Sequence, residues 1–419
     1  MSIPEGYRLV STDISRAREV LHVTGFAFGF TPHAQDAGFI DATYPWDAGR
    51  GVEVVDGTRG TPGSLAAAHA SFRFRMAVPG QRSLAVAGLT WVGVHPGHRR
   101  RGLLRAMIDD HFARSLERGE SVSVLYAAET EIYQRFGYGL AAREAIAELG
   151  RGTKLRDVAG ADDLIVEIDS ASLERHAPVI RAVQERMTRP GSIVEFGDEL
   201  LADKFLDSEV ERGGAEELRV VEVRDGDKPL AWALLSRKEV WNISTPDGVV
   251  QVRAWGSLEP RATVRLMRVL TDFDLMSKTQ LGRFAMDDET LLLASDPRAA
   301  RPGLIDNVWV RVLDVKAALE GRGYAADCDV TIALTDSQVP DNAGTWRIVV
   351  AGGEATVTRT DSAADLSLNV QELGAAYLGG TSISALARIG LVTAHTPTAV
   401  AALSAAMRGD QDPVSNLGF

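Results

Sequence analysis

The chain has 419 residues, of which 45% are hydrophobic and 24% are charged, and its formal net charge is −12. This length exceeds one ordinary hydrophobic core and predicts two or three domains. The acidic balance disfavours DNA or RNA as a partner, because phosphate binding needs a net basic surface, and it suits a cationic substrate.

Targeting and redox signals point to a cytoplasmic protein. The N-terminal residues include Glu5 and Arg8 and lack the apolar run of a signal peptide. No stretch approaches the roughly 20 apolar residues that span a bilayer, so no membrane association is expected. Cys328 is the sole cysteine, which excludes an intramolecular disulfide. The histidines show no paired ligand spacing, so no metal is expected.

The first part of the chain, residues 1–152, has the pattern of a mixed α/β fold. Periodicity predicts strands over residues 7–10, 51–56, 64–77, 82–94 and 121–128. It predicts helices over residues 13–26, 102–118 and 131–136. Pro79-Gly80 is typical of a tight turn, so the strands on either side of it should form an antiparallel hairpin.

A polar stretch at residues 151–163 predicts a linker to a second unit of similar style. Residues 153–305 repeat the order of elements, with a hairpin through Asp225-Gly226 and then a strand over 249–255. A helix over 260–273 follows, with a proline in its first turn.

From residue 306 the pattern changes to alternating strands joined by Gly, Asn and Asp turns. These strands are indicated near residues 330–334, 346–350 and 355–357. Helices are expected to end at Gly379-Gly380 and at Gly409. The chain is therefore predicted to contain domains over residues 1–152, 153–305 and 306–419.

The most informative stretch is Val92–Arg105, where a strand, a turn and a basic glycine-containing loop lead into a helix. Unpaired amide groups at a helix start and the positive end of the helix dipole favour an anion. The stretch therefore predicts a phosphate site, with a merely solvated basic cluster as the alternative. Trp255–Pro260 replaces this loop in the second unit, so a single such site per chain is expected.

A second motif follows the next strand, at Tyr133–Tyr138. Together with the loop Arg99–Leu104, it resembles the GCN5-related N-acetyltransferase (GNAT) superfamily, whose members carry an Arg/Gln-x-x-Gly-x-Gly/Ala loop and a Tyr-x-x-x-Gly-Phe/Tyr element. Leu104 departs from the usual small residue. More narrowly, His98–Arg105 and Ile132–Gly139 resemble the Eis-type acetyltransferases. The resemblance implies an α/β (α+β) chain of two tandem GNAT folds, only the first competent, followed by a domain like sterol carrier protein.

The resemblance also implies roles for individual residues. The backbone of Val92-Gly93-Val94 would pair with the pantetheine arm of acetyl-CoA, and Ala128 and Glu129 would lie near the thioester. The pyrophosphate would be held by Arg100, Arg101, Gly102, Leu103, Leu104 and Arg105. Tyr133 would be the general acid, since a phenol stays protonated at neutral pH. The carboxylate of Phe419 would be the base, directly or through water, unless the terminus is frayed.

Eis-type proteins acetylate aminoglycosides, so the acceptor implied here is a small polyamine, an aminoglycoside or a lysine-type amine. Phe26 and Phe28 are candidates to line its pocket, with core packing as the alternative. Some relatives place an acid before the terminal Phe, where this chain has Gly418, so aminoglycoside activity is expected to be weak. A homo-oligomer, by resemblance a hexamer, is also implied.

Competing interpretations remain for the function and for several side chains. The chain could be a non-catalytic lipid- or partner-binding protein, with the helical segments 373–378 and 399–407 lining an apolar tunnel. It could instead acetylate protein lysines. Tyr126 and Tyr138 are interpreted as packing residues, and His95 and His98 as turn residues.

Overall fold

The computed structural model describes residues 3–31, 36–298, 300 and 302–419. The elements of the first part follow the predicted order. They are β1 (Tyr7–Ser11), α1 (Ala17–Phe28), α2 (Asp36–Thr43), β2 (Arg50–Val54), β3 (Leu65–Val78), β4 (Arg82–Val94), α3 (Leu103–Glu117), β5 (Val122–Leu125), α4 (Thr130–Gln134), β6 (Gly139–Leu140) and β7 (Arg143–Gly150). The strand predicted over 121–128 ends earlier, at Leu125, which places the following residues outside the sheet.

The middle part contains the expected hairpin and proline-started helix, together with short elements that the sequence pattern did not indicate. All the elements of this part, expected and unexpected, are β8 (Ile165–Ser170), α5 (Leu173–Gln184), β9 (Ile193–Phe196), α6 (Asp198–Lys204), α7 (Glu209–Arg212), β10 (Arg219–Asp225), β11 (Lys228–Lys238), β12 (Trp241–Asn242), β13 (Thr245–Pro246), β14 (Gly248–Ser257), α8 (Pro260–Leu270), β15 (Met276–Phe284), α9 (Glu289–Leu293) and β16 (Gly303–Asp306).

The last part confirms the alternating strands and the final helix. Its elements are β17 (Trp309–Val312), α10 (Val315–Gly321), β18 (Cys328–Thr335), β19 (Gly344–Ala351), β20 (Glu354–Arg359), β21 (Leu366–Asn369), α11 (Val370–Ala376), α12 (Ile383–Arg388), β22 (Thr393–Ala394) and α13 (Pro397–Met407).

Local sequence signals explain several boundaries. The Asp13 carboxylate accepts from the backbone N–H of Ser15 at 2.9 Å and caps the short turn that leads into α1. Gly80 has φ +85° in the turn that joins β3 to β4, a conformation that favours glycine. Pro260 occupies the first turn of α8, where its missing N–H costs no hydrogen bond.

The first sheet has the strand order β1-β2-β3-β4-β5-β17-β6, with β9 paired to β3. β3 and β4 form the predicted antiparallel hairpin, whereas β4 and β5 are parallel. The second sheet has the order β16-β7-β15-β14-β11-β10-β8, with β14 parallel to β15. A third sheet has the order β20-β19-β18-β21-β22.

These sheets interleave along the chain. β7 precedes the predicted division at residue 152 and yet pairs with β15 and β16 of the second sheet. β9 and β17 come from later in the chain and complete the first sheet. The predicted division at 152 and 305 is thus crossed by strand pairing, and the domain boundaries stay a prediction.

The apolar core is also shared between the parts. One buried cluster includes Phe72 of the first sheet, Trp232 of the second, Leu368 of the third and Leu417 of the C-terminal tail. Burying a leucine side chain is worth about 1.5–3 kcal/mol. Leu417 is fully buried, so the tail is held as part of the core. No helix of the described residues is both long enough and apolar enough to cross a membrane.

Candidate active site

The candidate site lies where β4 and β5 part. These strands pair only at Ala87↔Ser123 and Gly88↔Val124, after which β4 continues to Val94. Trp91 has φ +53° and sits at a register shift against β3, which marks a β-bulge that turns the end of β4. The divergence opens a cleft between the end of β4 and the residues that follow β5.

A cavity of about 530 Å³ occupies this cleft. Its lining joins the end of β4, the basic loop, the start of α3 and the segment after β5. The residues that line it are Ala27, Phe28, Val92, Val94, His98, Arg99, Arg100, Gly102, Leu103, Leu104, Arg105, Ala128, Glu129, Ile132, Tyr133, Arg135 and Phe136. Most of the residues proposed from sequence to bind acetyl-CoA are therefore brought together around one space.

The electrostatics of this cavity favour an anion. Its lining residues include four arginines, namely Arg99, Arg100, Arg105 and Arg135. Gly102 is the N-cap of α3, has φ +83° and offers no side chain to bond the first amide groups of the helix. Unsatisfied amide donors at a helix start, reinforced by the helix dipole, match the oxygens of a pyrophosphate. The residues present thus fit the phosphate groups of coenzyme A.

Four of the residues proposed from sequence do not line the cavity, namely Arg101, Gly93, Phe26 and Phe419. Arg101 donates instead to the Tyr7 hydroxyl at 2.7 Å, and that hydroxyl lies 2.9 Å from Nδ1 of His98. Gly93 faces α1, where an added Cβ would lie 3.1 Å from the Cβ of Ala27. Phe26 is 55% exposed and packs on the His95 ring with centroids 4.8 Å apart. His98, interpreted from sequence as a turn residue, is part of the lining.

Tyr133 is a half-buried wall residue of the cavity. Burial, and then the negative charge of Glu129, raise its pKa to about 12. The phenol therefore keeps its proton at neutral pH, as a general acid must. Its backbone carbonyl accepts from the N–H groups of Phe136 and Tyr138, which fixes the turn that carries the side chain.

The C-terminal tail is held by hydrogen bonds rather than frayed. The backbone N–H of Val414 donates to Pro190 O at 2.9 Å, and that of Ser415 donates to Oδ1 of Asn307 at 2.7 Å. Asn416 donates to Oε1 of Gln184 at 2.9 Å. Ser415 and Leu417 are fully buried. Val414, Ser415 and Asn416 thus each have a hydrogen-bond partner from an earlier part of the chain.

This tail delivers Phe419 to the first sheet at the root of the cleft. Its ring contacts Phe74 of β3 and Tyr126 after β5, with centroid separations of 4.9 and 5.1 Å. Two residues beyond Tyr126, Ala128 begins the segment that lines the cavity with Tyr133. Phe419 and Tyr133 therefore flank the same short segment, although Phe419 does not line the cavity itself.

Sequence reasoning missed the residues that hold the tail. Arg283 of β15 donates to the Tyr126 hydroxyl at 2.7 Å and to Ser415 O at 3.3 Å. Tyr126, interpreted as a packing residue, also donates to the carbonyls of Ser415 and Leu417. Little in the sequence singled out Arg283, because β15 belongs to the second unit, which lacks the basic loop and was not expected to contain a site.

The second unit has a cleft of the same kind, which contains a smaller cavity of about 110 Å³ lined by Trp255, Glu259 and Arg283 among others. β14 and β15 pair from Gly248 to Gln251, and β14 then continues to Ser257. Nε1 of Trp255 donates across the gap to Gly282 O at 2.9 Å. The indole thus bridges the two diverging strands and lines this cavity, where Glu259 precedes the helix start in place of the basic loop.

The helical segments that could have lined a lipid tunnel are packed. Leu373, Leu378, Leu403 and Met407 belong to the shared buried cluster. The fully buried guanidinium of Arg322 lies between them and donates to the carbonyls of Tyr377 and Met407. Among the residues that the structure describes, no group of three or more His, Cys, Asp or Glu could hold a metal ion.

Comparison with known proteins identifies the domains of the chain and its relatives. Residues 12–141 and 202–312 match acetyltransferase (GNAT) domains, and residues 315–416 match a sterol carrier protein domain. An uncharacterized N-acetyltransferase of Streptomyces coelicolor is 37% identical over 353 residues, covering 83% of this chain and 84% of that protein. N-acetyltransferase Eis of Mycobacterium bovis is 30% identical over 344 residues, covering 80% and 81%.

The chain belongs to the Eis-like N-acetyltransferases of the GNAT superfamily. The crystal structure of Eis1 from Mycobacterium abscessus is similar over 99% of this chain and 100% of that one, with a TM-score of 0.80 and 27% identity. A GCN5-related N-acetyltransferase from Anabaena variabilis shares the fold, with a TM-score of 0.82 and 17% identity over 99% and 100%. This Eis-like protein is thus an acetyltransferase with two GNAT domains and a sterol-carrier-like domain, and GNAT acetyltransferases use acetyl-CoA.

Proposed function

We propose that this Eis-like enzyme transfers the acetyl group of acetyl-CoA directly to a primary amine of a small polyamine, an aminoglycoside-like molecule or a lysine-type amine. The cavity between β4 and the segment after β5 carries the proposal, because it combines four arginines, an uncapped helix start and a protonated phenol. The arginines and the start of α3 would hold the phosphates, and Val92 and Val94 would border the pantetheine arm.

The proposed reaction needs one base and one acid. The neutral amine attacks the thioester carbonyl, so that a C–N bond forms and the C–S bond breaks. The Phe419 carboxylate takes the proton of the amine, directly or through water, and Tyr133 gives its proton to the departing thiolate. An α-carboxylate is intrinsically a weak base, with an ordinary pKa of roughly 3.5. The ring of Phe419 packs against Phe72, Phe74 and Tyr126.

The charge near the tail bears on the acceptor. Arg283 lies beside Gly418, at the position where some relatives have an acid. A guanidinium there repels ammonium groups, whereas a carboxylate would attract them. Among amine acceptors, we expect those with a single ammonium group to be used better than polycationic aminoglycosides.

We also propose that the enzyme is a cytoplasmic homo-oligomer, a hexamer if the family resemblance extends to assembly. Several large apolar side chains are exposed, including Trp241, Ile243, Leu304 and Ile305, and Ile243 is 98% exposed. Leu304 and Ile305 lie in β16, an edge strand of the second sheet, and an exposed apolar edge strand favours pairing with another chain. Light scattering during size-exclusion chromatography measures the mass directly.

The experiment that tests the activity is an acceptor screen with purified protein. Acetyl-CoA would be incubated with spermidine, lysine amide, kanamycin or a lysine-containing peptide, and amine-dependent thiol release would be corrected for hydrolysis. Mass spectrometry would locate the added acetyl group. Absence of transfer to any amine would refute the proposal, while transfer to the peptide alone would move the acceptor class to protein lysines.

A further inference from the structure

Arg283 reaches the active-site tail from an irregular point in β15. Between Leu281 and Phe284 the partner strand advances only from Ala147 to Ala145, so β15 contains one extra residue. Arg283 has φ +64°, a left-handed conformation that is strained for a residue with a side chain. A bulge of this kind re-aims a side chain that a regular strand would direct elsewhere.

The bulge is fixed from the second unit. The carbonyl of Gly282 accepts from Nε1 of Trp255, a residue that lines the cavity of the second cleft. Trp255 is itself buried and packs on Phe284 with ring centroids 5.2 Å apart. Trp255 therefore fixes the bulge that carries the strained Arg283, in a unit whose cleft lacks the basic loop.

The guanidinium of Arg283 sets the direction of a hydrogen-bond chain. It donates to the Tyr126 hydroxyl at 2.7 Å and lies over the Tyr126 ring, 5.0 Å from its centroid. A guanidinium has no acceptor, so the hydroxyl must point its single hydrogen elsewhere. Ser415 O and Leu417 O lie 3.2 and 3.1 Å from that hydroxyl. Arg283 thus orients Tyr126 toward the backbone just before the terminal residue.

Arg283 also touches the tail directly. It donates to Ser415 O at 3.3 Å, and Nη2 would lie 2.5 Å from a Cβ atom added to Gly418. Oε2 of Glu144 lies 3.9 Å from Nη1 and balances the charge of the half-buried guanidinium. The contacts of one side chain therefore extend from Ser415 to Gly418, and the residue that follows is Phe419.

We propose that Arg283 is a positioning residue: through Tyr126 and the carbonyl of Ser415 it holds the C-terminal tail so that the Phe419 carboxylate serves the first GNAT domain. A residue of the second GNAT domain thereby contributes to catalysis in the first. The inference rests on the proposed role of the Phe419 carboxylate. It predicts that loss of the guanidinium lowers kcat and loosens the tail, while the binding of acetyl-CoA is preserved.

The test compares Arg283→Met, Arg283→Lys and the control Arg261→Met in the full-length protein. Arg261 lies in the same domain, where it pairs with Asp225 and Glu259 and not with the tail. Two readouts are taken: kcat and KM for acetyl-CoA with the best amine from the screen, and the rate at which carboxypeptidase releases Phe419, followed by mass spectrometry.

For Arg283→Met we expect at least a tenfold loss of kcat, a KM for acetyl-CoA within about twofold of the parent, and faster release of Phe419. Arg283→Lys keeps one donor group and should therefore show a smaller loss of kcat and a smaller increase in Phe419 release. Arg261→Met should match the parent in both. Parental kcat and release rate in Arg283→Met would overturn the inference. If that variant fails to fold, Tyr126→Phe replaces it, because it removes the donor to Leu417 O and should give the same kcat loss and faster release.

Deletion of Phe419 separates this inference from the proposed base. Retained turnover in the deletion variant would show that the Phe419 carboxylate is not the base. The proposed positioning role of Arg283 would then have no catalytic purpose, even if Arg283→Met released Phe419 faster. Lost turnover in the deletion variant with a normal Arg283→Met would instead refute the positioning role alone. A parallel loss in both variants supports the two proposals together.

Discussion

The ring of Phe419 lies against Gly88: a Cβ atom added to Gly88 would be 3.1 Å from Cε2 of Phe419 and closer still to the Phe74 ring. Gly88 is the last residue of β4 that pairs with β5. The final residue of the chain therefore packs at the point where the two strands of the candidate active site diverge, and a glycine is needed there to make room.

Gly88→Ala should displace the rings of Phe74 and Phe419. Overpacking of this kind costs roughly 1–3 kcal/mol of stability, and we expect the shift of Phe419 to lower kcat more than tenfold. Gly150→Ala is the matched control, because that strand glycine has open space around its Cα. Steady-state kinetics and thermal melting check both effects. Full activity in Gly88→Ala would show that the position of Phe419 is not critical.

Removal of the Tyr133 hydroxyl tests the general acid. We expect Tyr133→Phe to reduce kcat by about 10²–10⁴-fold, the usual contribution of acid–base catalysis, with little change in KM for acetyl-CoA. Tyr324→Phe removes a hydroxyl that bonds Leu319 O far along the chain and is the control. Unchanged turnover in Tyr133→Phe would show that another group protonates the thiolate.

The pH dependence of the parent enzyme gives a second check on Tyr133. Because burial and Glu129 raise its pKa to about 12, its acid form persists well above neutrality. The rate of the parent should therefore show no loss from Tyr133 ionisation between about pH 7 and pH 10. A basic limb in kcat that disappears in Tyr133→Phe would contradict this expectation.

Local sequence patterns could predict the anion-binding part of the site on the first sheet. They could not predict the parts that depend on residues from later in the chain. Turn chemistry gave the hairpin at Gly80, and the loop Arg99–Leu104 could be read as a helix start that binds an anion. Strand pairing is non-local, so no period in the sequence indicated that β17 would pair with β5. For the same reason the sequence did not reveal Arg283, whose direction depends on a bulge and on the tail.

The placement of Phe419 shows a different limit. Its apolar character suggested a tail that docks, but only the resemblance to Eis-type proteins indicated where. The hydrogen bonds that dock the tail come from Pro190, Asn307 and Gln184, which are far apart in sequence. Conversely, Arg101 matched the motif by sequence, whereas its side chain bonds the Tyr7 hydroxyl.

Neighbouring arginines of the loop should have different effects on acetyl-CoA. Arg100 lines the cavity and Arg101 does not, so Arg100→Met should raise KM for acetyl-CoA by about tenfold or more, as expected for loss of one charged hydrogen bond. Arg101→Met removes the same charge from the chain and should have a much smaller effect. Steady-state kinetics measures the two KM values, and calorimetric titration with coenzyme A measures the corresponding loss of affinity. Equal weakening by both variants would indicate that loop charge alone, not contact, governs binding.

Asp288 should make the stability of the protein depend on pH. Its carboxyl is almost fully buried at the start of α9, where it accepts from the N–H of Thr290 at 2.9 Å. Burial, and then the charge of Glu289, raise its pKa from 3.8 to about 7. The folded state thus retains a proton that the unfolded state loses above about pH 4. Stability from this group is therefore present at low pH and declines as the pH rises to about 7.

The size of this effect follows from the pKa shift, because one pKa unit corresponds to about 1.4 kcal/mol. The contribution of Asp288 to the free energy of unfolding should therefore fall by roughly 4 kcal/mol between pH 4 and pH 7. Asp288→Asn keeps the cap oxygen and cannot ionise, so its stability relative to the parent should rise between pH 5 and pH 8. Denaturant unfolding at the two pH values measures this, with the exposed Asp274→Asn as control. If the stability difference between Asp288→Asn and the parent is the same at both pH values, Asp288 does not change protonation in this window, and the carboxylate must then be solvated or paired more strongly than its burial implies.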